Sequence, residues 1–138
     1  MALILDTGPL FAALDRRDNW HDACVRLLDQ VEEELVIPAA VLVEVDQLCD
    51  RSLPSYVFPA LLGDIADGAY RVVDLDRGDY RRVRELCDRY ADADIGFVDA
   101  AVMAITERLG EPKLATLDHR HFGLLRPRHV DALRLLPE

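Results

Sequence analysis

The sequence predicts an α/β fold, with a central, mostly parallel sheet of about four to five strands flanked by helices. Three observations predict it. Short apolar runs of strand length recur along the chain, each closed by Asp, Pro or Gly. Between them lie segments whose apolar residues repeat at helical spacing. No repeat, low-complexity tract or linker divides the 138 residues, so residues 1–138 are expected to form one domain. Strands separated by helices imply parallel pairing with helices covering the sheet.

Residues 2–5 are a buried strand that runs into the turn Asp6-Thr7-Gly8-Pro9, and residues 9–15 suit a short helix. Residues 19–33 form an amphipathic helix in which Trp20, Cys24, Leu27, Leu28 and Val31 share a face, with Asn19 as N-cap. Leu35-Val36-Ile37 is a second strand, stopped by Pro38. Residues 40–52 are helical, with Val41, Val45, Leu48 and Cys49 on one face. Pro54 and Pro59 bracket a break before a helix over residues 59–67. Tyr70 to Leu75 reads as a third strand, and residues 79–91 as a helix through Tyr80, Val83, Leu86, Cys87 and Tyr90. Residues 97–109 form an apolar helix closed by Gly110, its exposed face expected near Ala104, Glu107 and Arg108. Lys113 to Leu117 is a fourth strand ending at Asp118, and Arg134-Leu135-Leu136 a candidate fifth.

Composition narrows the functional classes. An apolar content of 51% excludes wholesale disorder. No apolar run approaches the roughly 18 residues of a membrane span, and the start lacks the basic and apolar regions of a signal peptide. The expectation is a cytoplasmic protein without membrane contact. Cys24, Cys49 and Cys87 are odd in number, widely spaced and set among apolar residues, so they read as buried reduced thiols. The net charge of −10 argues against a basic nucleic-acid binder of the usual kind. The acids are nevertheless unevenly balanced. Residues 1–70 hold 13 acids and 4 bases, residues 71–138 hold 13 and 12, and six arginines fall between Arg71 and Arg89. This permits a local basic path beside an acidic centre.

In parallel α/β sheets the ligand site lies beyond the carboxyl ends of the strands, at a switch point. Asp6 follows the first strand and Asp118 the fourth. Each also suits an ordinary turn or helix N-cap. Glu44 lies beside Val41, Val45 and Leu48 on its helix, leaning towards the apolar face, where a lone carboxylate is costly unless paired or bound to metal. Asp99 opens its helix with Val102 and Met103 as i+3 and i+4 neighbours; a charge–dipole contact at a helix start does not account for that inward lean. Acids crowded at one point repel one another unless a cation intervenes. Oxygen ligands suit a hard ion, Mg²⁺ or Mn²⁺, which also inverts the local charge towards a polyanion.

Four segments together carry a resemblance: Leu5-Asp6-Thr7-Gly8-Pro9-Leu10, Pro38-Ala39-Ala40-Val41-Leu42-Val43-Glu44-Val45, Gly96-Phe97-Val98-Asp99-Ala100-Ala101-Val102, and Ala115-Thr116-Leu117-Asp118-His119-Arg120-His121-Phe122. In order and spacing the chain resembles the PIN-domain family, specifically the VapC-type toxins of toxin–antitoxin pairs. The resemblance implies a PIN-like three-layer fold and Mg²⁺- or Mn²⁺-dependent endoribonuclease activity. It also implies an RNA substrate and a cognate VapB-type antitoxin, assembled as a homodimer or a toxin–antitoxin hetero-oligomer. By position, Asp6 and Asp99 resemble the main metal ligands, Glu44 the third acid, and Asp118 the fourth, which often acts through water. Thr7 and Thr116 offer hydroxyls near the metal waters, and Asp92 is an outer candidate.

The string Asp118-His119-Arg120-His121 has no Cys nearby and does not read as a zinc site. Its His and Arg side chains instead suit contact with RNA phosphate. The apolar faces around Trp20, Cys24 and Leu28, and around Val45 and Leu48, either fill the core or offer a groove to an amphipathic partner segment. A haloacid-dehalogenase-type phosphatase requires a second Asp two residues after the first, where this chain has Gly8. A receiver domain requires a lysine followed by proline, whereas Pro112 precedes Lys113 here. A PIN fold without metal, acting as a binding module, would be expected to lack one of the acids, and all four are present.

Overall fold

Ala2, Leu3, Ile4 and Leu5 are all buried, although successive strand residues face opposite ways. Their strand is therefore covered on both faces and sits inside a sheet. In the computed structural model, which describes residues 1–138, this is β1 (Ala2–Leu5). It is followed by α1 (Thr7–Leu14), α2 (His21–Gln30), β2 (Glu34–Pro38), α3 (Ala39–Ser52), α4 (Val57–Ala66) and β3 (Arg71–Val73). Then come α5 (Arg77–Arg89), a 3-10 turn (Ala91–Ala93), α6 (Phe97–Arg108), β4 (Lys113–Ala115), α7 (His119–Leu124) and β5 (Arg134–Leu136). No helix is long and apolar enough to cross a membrane.

All five strands are parallel, in the order β3-β2-β1-β4-β5. The candidate fifth strand is present, and no antiparallel pair occurs. Ile4 sits at the centre of the register, opposite Val36 of β2 and Leu114 of β4. The chain builds outward from β1 through β2 to β3, then crosses to β4 and β5 on the other side. The order thus reverses between β1 and β4. Their carboxyl ends, carrying Asp6 and Thr116, open on the crevice where a ligand is expected.

Helix α6 is buried along seven consecutive residues, Ala100 to Thr106. It packs against α3, α5 and β2. This corrects two of the three residues expected on the exposed face, since Ala104 is 2% exposed and the Glu107 side chain is enclosed in an ion pair with Arg82, while Arg108 is exposed as expected. Thr106 is tolerated inside because its hydroxyl donates to the carbonyl of Val102 at 2.7 Å.

Other differences are local. Helix α2 starts at His21; Asn19 lies before it, and the side chain of Asp18 accepts the N–H of Trp20 at 2.8 Å. Trp20 is half exposed, while Cys24 and Val45 are buried, so the faces proposed for a partner segment mostly fill the core. Helix α5 starts two residues before the expected Asp79, because Asp76 and Asp79 form a reciprocal capping box. Helix α7 is only six residues long, too short to announce itself by periodicity. Cys24 and Cys49 are buried as expected, but Cys87 only partly. Of the six arginines, Arg71, Arg77, Arg81, Arg84 and Arg89 are exposed, Arg71 and Arg84 beside Glu34 and Asp88, while Arg82 is enclosed against Glu107.

Candidate active site

Each acid of the centre comes from a different part of the chain, and local structure aims each one. Asp6 ends β1 in extended conformation, and its side chain makes no capping bond to α1. It faces β4 instead, where Thr116 Oγ1 donates to Asp6 Oδ2 at 2.8 Å. The approach of these segments depends on Gly8, since a Cβ there would lie 3.2 Å from Leu117 Cβ. Pro9 fits the first turn of α1, where its missing N–H is not needed. Glu44 projects from α3, half-buried, and accepts from Thr7 Oγ1 at 2.6 Å. Asp99 lies in the first turn of α6, its side chain 19% exposed. Asp118 caps α7, its Oδ1 accepting the His121 N–H at 3.0 Å.

These residues border one open pocket of about 530 Å³, lined by Asp6, Thr7, Gly8, Glu44, Asp99, Leu117, Asp118 and His121. A cleft of about 580 Å³ lies elsewhere, between the end of α1 and the turn joining α3 to α4. It lacks convergent acids, so the smaller pocket is where the chemistry belongs.

Two of the acids are displaced from ordinary carboxylate behaviour. Burial raises Asp6 from 3.8 to about 6, against the lowering effect of the Thr116 hydrogen bond; the charges of Asp99 and Glu44 add to the rise. Asp99 is also raised, chiefly by burial, with the neighbouring His121 opposing and Asp118 and Glu44 reinforcing the shift. No Lys or Arg forms an ion pair with Asp6, Glu44, Asp99 or Asp118. Their only basic neighbour in ion-pair reach is His121, on Asp99 and Asp118. A mutually repelling set of oxygen donors, Asp6 buried and the others partly buried, fits a divalent cation. The chain's own arginines and lysine do not fill that role.

The structure brings together Asp6, Glu44, Asp99 and Asp118, with Thr7 lining the pocket and Thr116 buried behind Asp6. It does not bring in Asp92, which is exposed in the 3-10 turn and does not line the pocket. Sequence reading gave His121 to RNA phosphate; here its Nδ1 lies 2.7 Å from Asp118 Oδ2 and 3.4 Å from Asp99 Oδ2. The i,i+3 spacing from Asp118 was the available signal, but it has meaning only once residues 119–124 are helical.

Comparison with known proteins identifies the family of the chain and its fold. Residues 3–125 match the PIN domain family model. The chain is 30% identical over 125 residues to ribonuclease VapC26 of Mycobacterium tuberculosis, covering 91% of this chain and 93% of that protein. Its fold is similar to that of VapC20 from Mycobacterium tuberculosis, a toxin that cleaves the sarcin–ricin loop, with a TM-score of 0.75 and 20% identity over 81% of this chain and 86% of that one. It is similar also to VapBC2 of Rickettsia felis, solved on a DNA fragment of its promoter. That likeness has a TM-score of 0.69 and 19% identity over 98% and 97% of the two chains.

Proposed function

This chain belongs to the PIN-domain family, and from that membership we propose that it is a divalent-metal-dependent endoribonuclease, the toxin of a VapBC-type toxin–antitoxin pair. Residues 1–138 act as a single PIN domain. The observation that carries the reading is the convergence of Asp6, Glu44, Asp99 and Asp118 on one open pocket with no Lys or Arg among them. Asp6 and Asp99 serve as main ligands of Mg²⁺ or Mn²⁺, with Glu44 as the third acid and Asp118 as the fourth. When bound, such an ion supplies a nucleophilic water at neutral pH and neutralises charge on the scissile phosphate.

The chain's own residues prepare that chemistry. Thr116 holds the Asp6 carboxylate in one orientation, and Thr7 holds Glu44. Arg120, exposed at the start of α7 two residues after Asp118, is our candidate for contact with the RNA backbone. With water as nucleophile, the RNA 2′-hydroxyl is not consumed, and the products carry a 5′-phosphate and a 3′-hydroxyl. The acidic pocket also suits inhibition by an antitoxin arginine, whose planar fork pairs with two carboxylates and competes with metal. The free toxin assembles as a homodimer or binds its antitoxin in a hetero-oligomer.

The test is cleavage of RNA by purified protein, with product ends mapped, in Mg²⁺ or Mn²⁺ and in EDTA. Cleavage that persists in EDTA and in Asp6→Asn would refute the reading. The toxin role is tested separately by growth with and without the co-expressed neighbouring gene. Wild-type protein that slows growth no more than Asp6→Asn would sink it.

A further inference from the structure

We propose that His121 is a nitrogen ligand of the cation at this site, so that the site favours ions accepting imidazole, such as Co²⁺, over Mg²⁺. The inference rests on reading the acid cluster as a metal centre.

The ligand atoms of Asp99, Asp118 and His121 all lie within 4.8 Å of one another. Nδ1 of His121 is 2.7 Å from one carboxylate oxygen and 3.4 Å from the other. Adjacent donors around an octahedral ion with bonds of about 2.1 Å stand about 3 Å apart. The two separations bracket that value. Nδ1 is shielded from solvent, yet it has no hydrogen-bond partner, because its contacts with the two carboxylates are not aligned as hydrogen bonds. A buried polar nitrogen without a partner calls for an explanation. Where Nδ1 carries no proton, its lone pair opposes the two carboxylate oxygens, and a cation between them removes that repulsion.

The backbone explains why the imidazole is there. Asp118 uses Oδ1 to cap α7, accepting the N–H of His121, and this leaves Oδ2 turned towards the same residue's ring. One capping interaction therefore sets both donors on the same side of a one-turn lever. His119, two positions earlier, cannot substitute, since its Nε2 contacts the carbonyl of Thr116 at 3.1 Å.

The chemical consequence is selectivity. Magnesium prefers oxygen ligands and retains water, so a nitrogen donor adds little to its binding. Imidazole raises affinity for first-row transition ions, increasingly from Mn²⁺ towards Ni²⁺.

The experiment uses the full chain stripped of metal. Calorimetric titration with MgCl₂ and with CoCl₂ is compared for wild type, His121→Ala and His121→Asn. Loss of the ligand is expected to weaken Co²⁺ by about tenfold or more. Mg²⁺ binding should stay within about twofold of wild type. Pulsed electron paramagnetic resonance of the Mn²⁺-loaded wild type provides a measurement that needs no variant. It should show ¹⁴N coupling from a directly bound imidazole, replaced by the ¹⁵N pattern on labelling histidine. Bound Mn²⁺ without nitrogen coupling would overturn the proposal, as would Co²⁺ and Mg²⁺ weakening alike in His121→Ala. If Mn²⁺ binds without nitrogen coupling and Asp6→Asn weakens it, only the role of His121 fails. If neither ion binds, the metal centre fails with it.

Discussion

Thr116 and Asp6, 110 positions apart in the chain, are joined by a 2.8 Å hydrogen bond from the threonine hydroxyl to carboxylate Oδ2. The same oxygen of Thr116 accepts the backbone N–H of Asp118 at 3.0 Å. One buried hydroxyl thus ties the acid at the end of β1 to the backbone that carries the acid after β4.

Thr116→Val keeps the shape but removes both bonds. A hydrogen bond to a charged group contributes about 1.5–3 kcal/mol, so cleavage should fall about 10–100-fold. Thr116→Ser, which keeps the hydroxyl, should retain most activity. Steady-state cleavage at saturating metal checks it; a Val variant as active as wild type would show that Thr116 does not position Asp6.

Asp6 makes the metal-free protein sensitive to pH. Its folded-state pKa of about 6 exceeds its ordinary 3.8, so the folded chain holds that proton more tightly than the unfolded chain. The resulting stabilisation is fully present below the ordinary value and is lost as pH rises through about 6. The displacement corresponds to about 3 kcal/mol. In EDTA, Asp6→Asn should therefore exceed wild type in stability at pH 7.5 and match it near pH 4. Mn²⁺ should recover wild-type stability at pH 7.5 by mass action. Urea melts at the two pH values decide the matter; a variant less stable than wild type at pH 7.5 in EDTA would contradict it.

Asp99 and Asp92 are separated by only seven positions but differ in placement. Asp99 lines the acidic pocket, and Asp92 is exposed outside it. Asp99→Asn should abolish cleavage, whereas Asp92→Asn should stay within about twofold of wild type, as surface substitutions generally change little. Side-by-side cleavage assays test this, and a severe defect in Asp92→Asn would return that residue to the site.

The ion pair of Arg82 with Glu107 is enclosed, the two side chains being 10% and 8% exposed. Arg82 donates through Nε at 2.8 Å and Nη2 at 2.9 Å, and Glu107 also accepts the N–H of Arg128 at 2.7 Å. Glu107→Ala should cost about 1.5–3 kcal/mol, because it removes two charge-assisted hydrogen bonds and leaves Arg82 only Glu85 at 3.4 Å and the Arg126 carbonyl at 3.2 Å. Joining it to Arg82→Met should restore part of the loss. Denaturant unfolding of the single and double variants gives the answer; a Glu107→Ala loss under about 1 kcal/mol would mean that solvent reaches the pair.

Much of the fold was legible because its signals are local. The strand at residues 2–5, the helix around Val41 and Val45, and the apolar helix after Gly96 each follow from period and punctuation. The signals that failed were those that depend on neighbours. Ala104 and Glu107 read as an outer face because a single helix gives no sign of being covered on more than one side. The arginine-rich stretch gave no sign that Arg82 is enclosed, because charge along a sequence does not reveal that Glu107 lies opposite it.

The sequence by itself singled out the acids that the proposed chemistry uses. Glu44 and Asp99 stand out because a carboxylate beside an apolar helical face is costly, and Asp6 and Asp118 because they follow strands at the end of a parallel sheet where a ligand is expected. Only the tertiary structure decided how they are held. Parallel pairing of β1 with β4 brings Thr116 onto Asp6, the crossing of α3 brings Glu44 onto Thr7, and the turn of α7 puts His121 between Asp99 and Asp118. These contacts join segments up to 110 residues apart. Hydrogen bonds and charge interactions act over a few ångströms of space, a separation that strand order and helix packing set and that sequence distance does not encode.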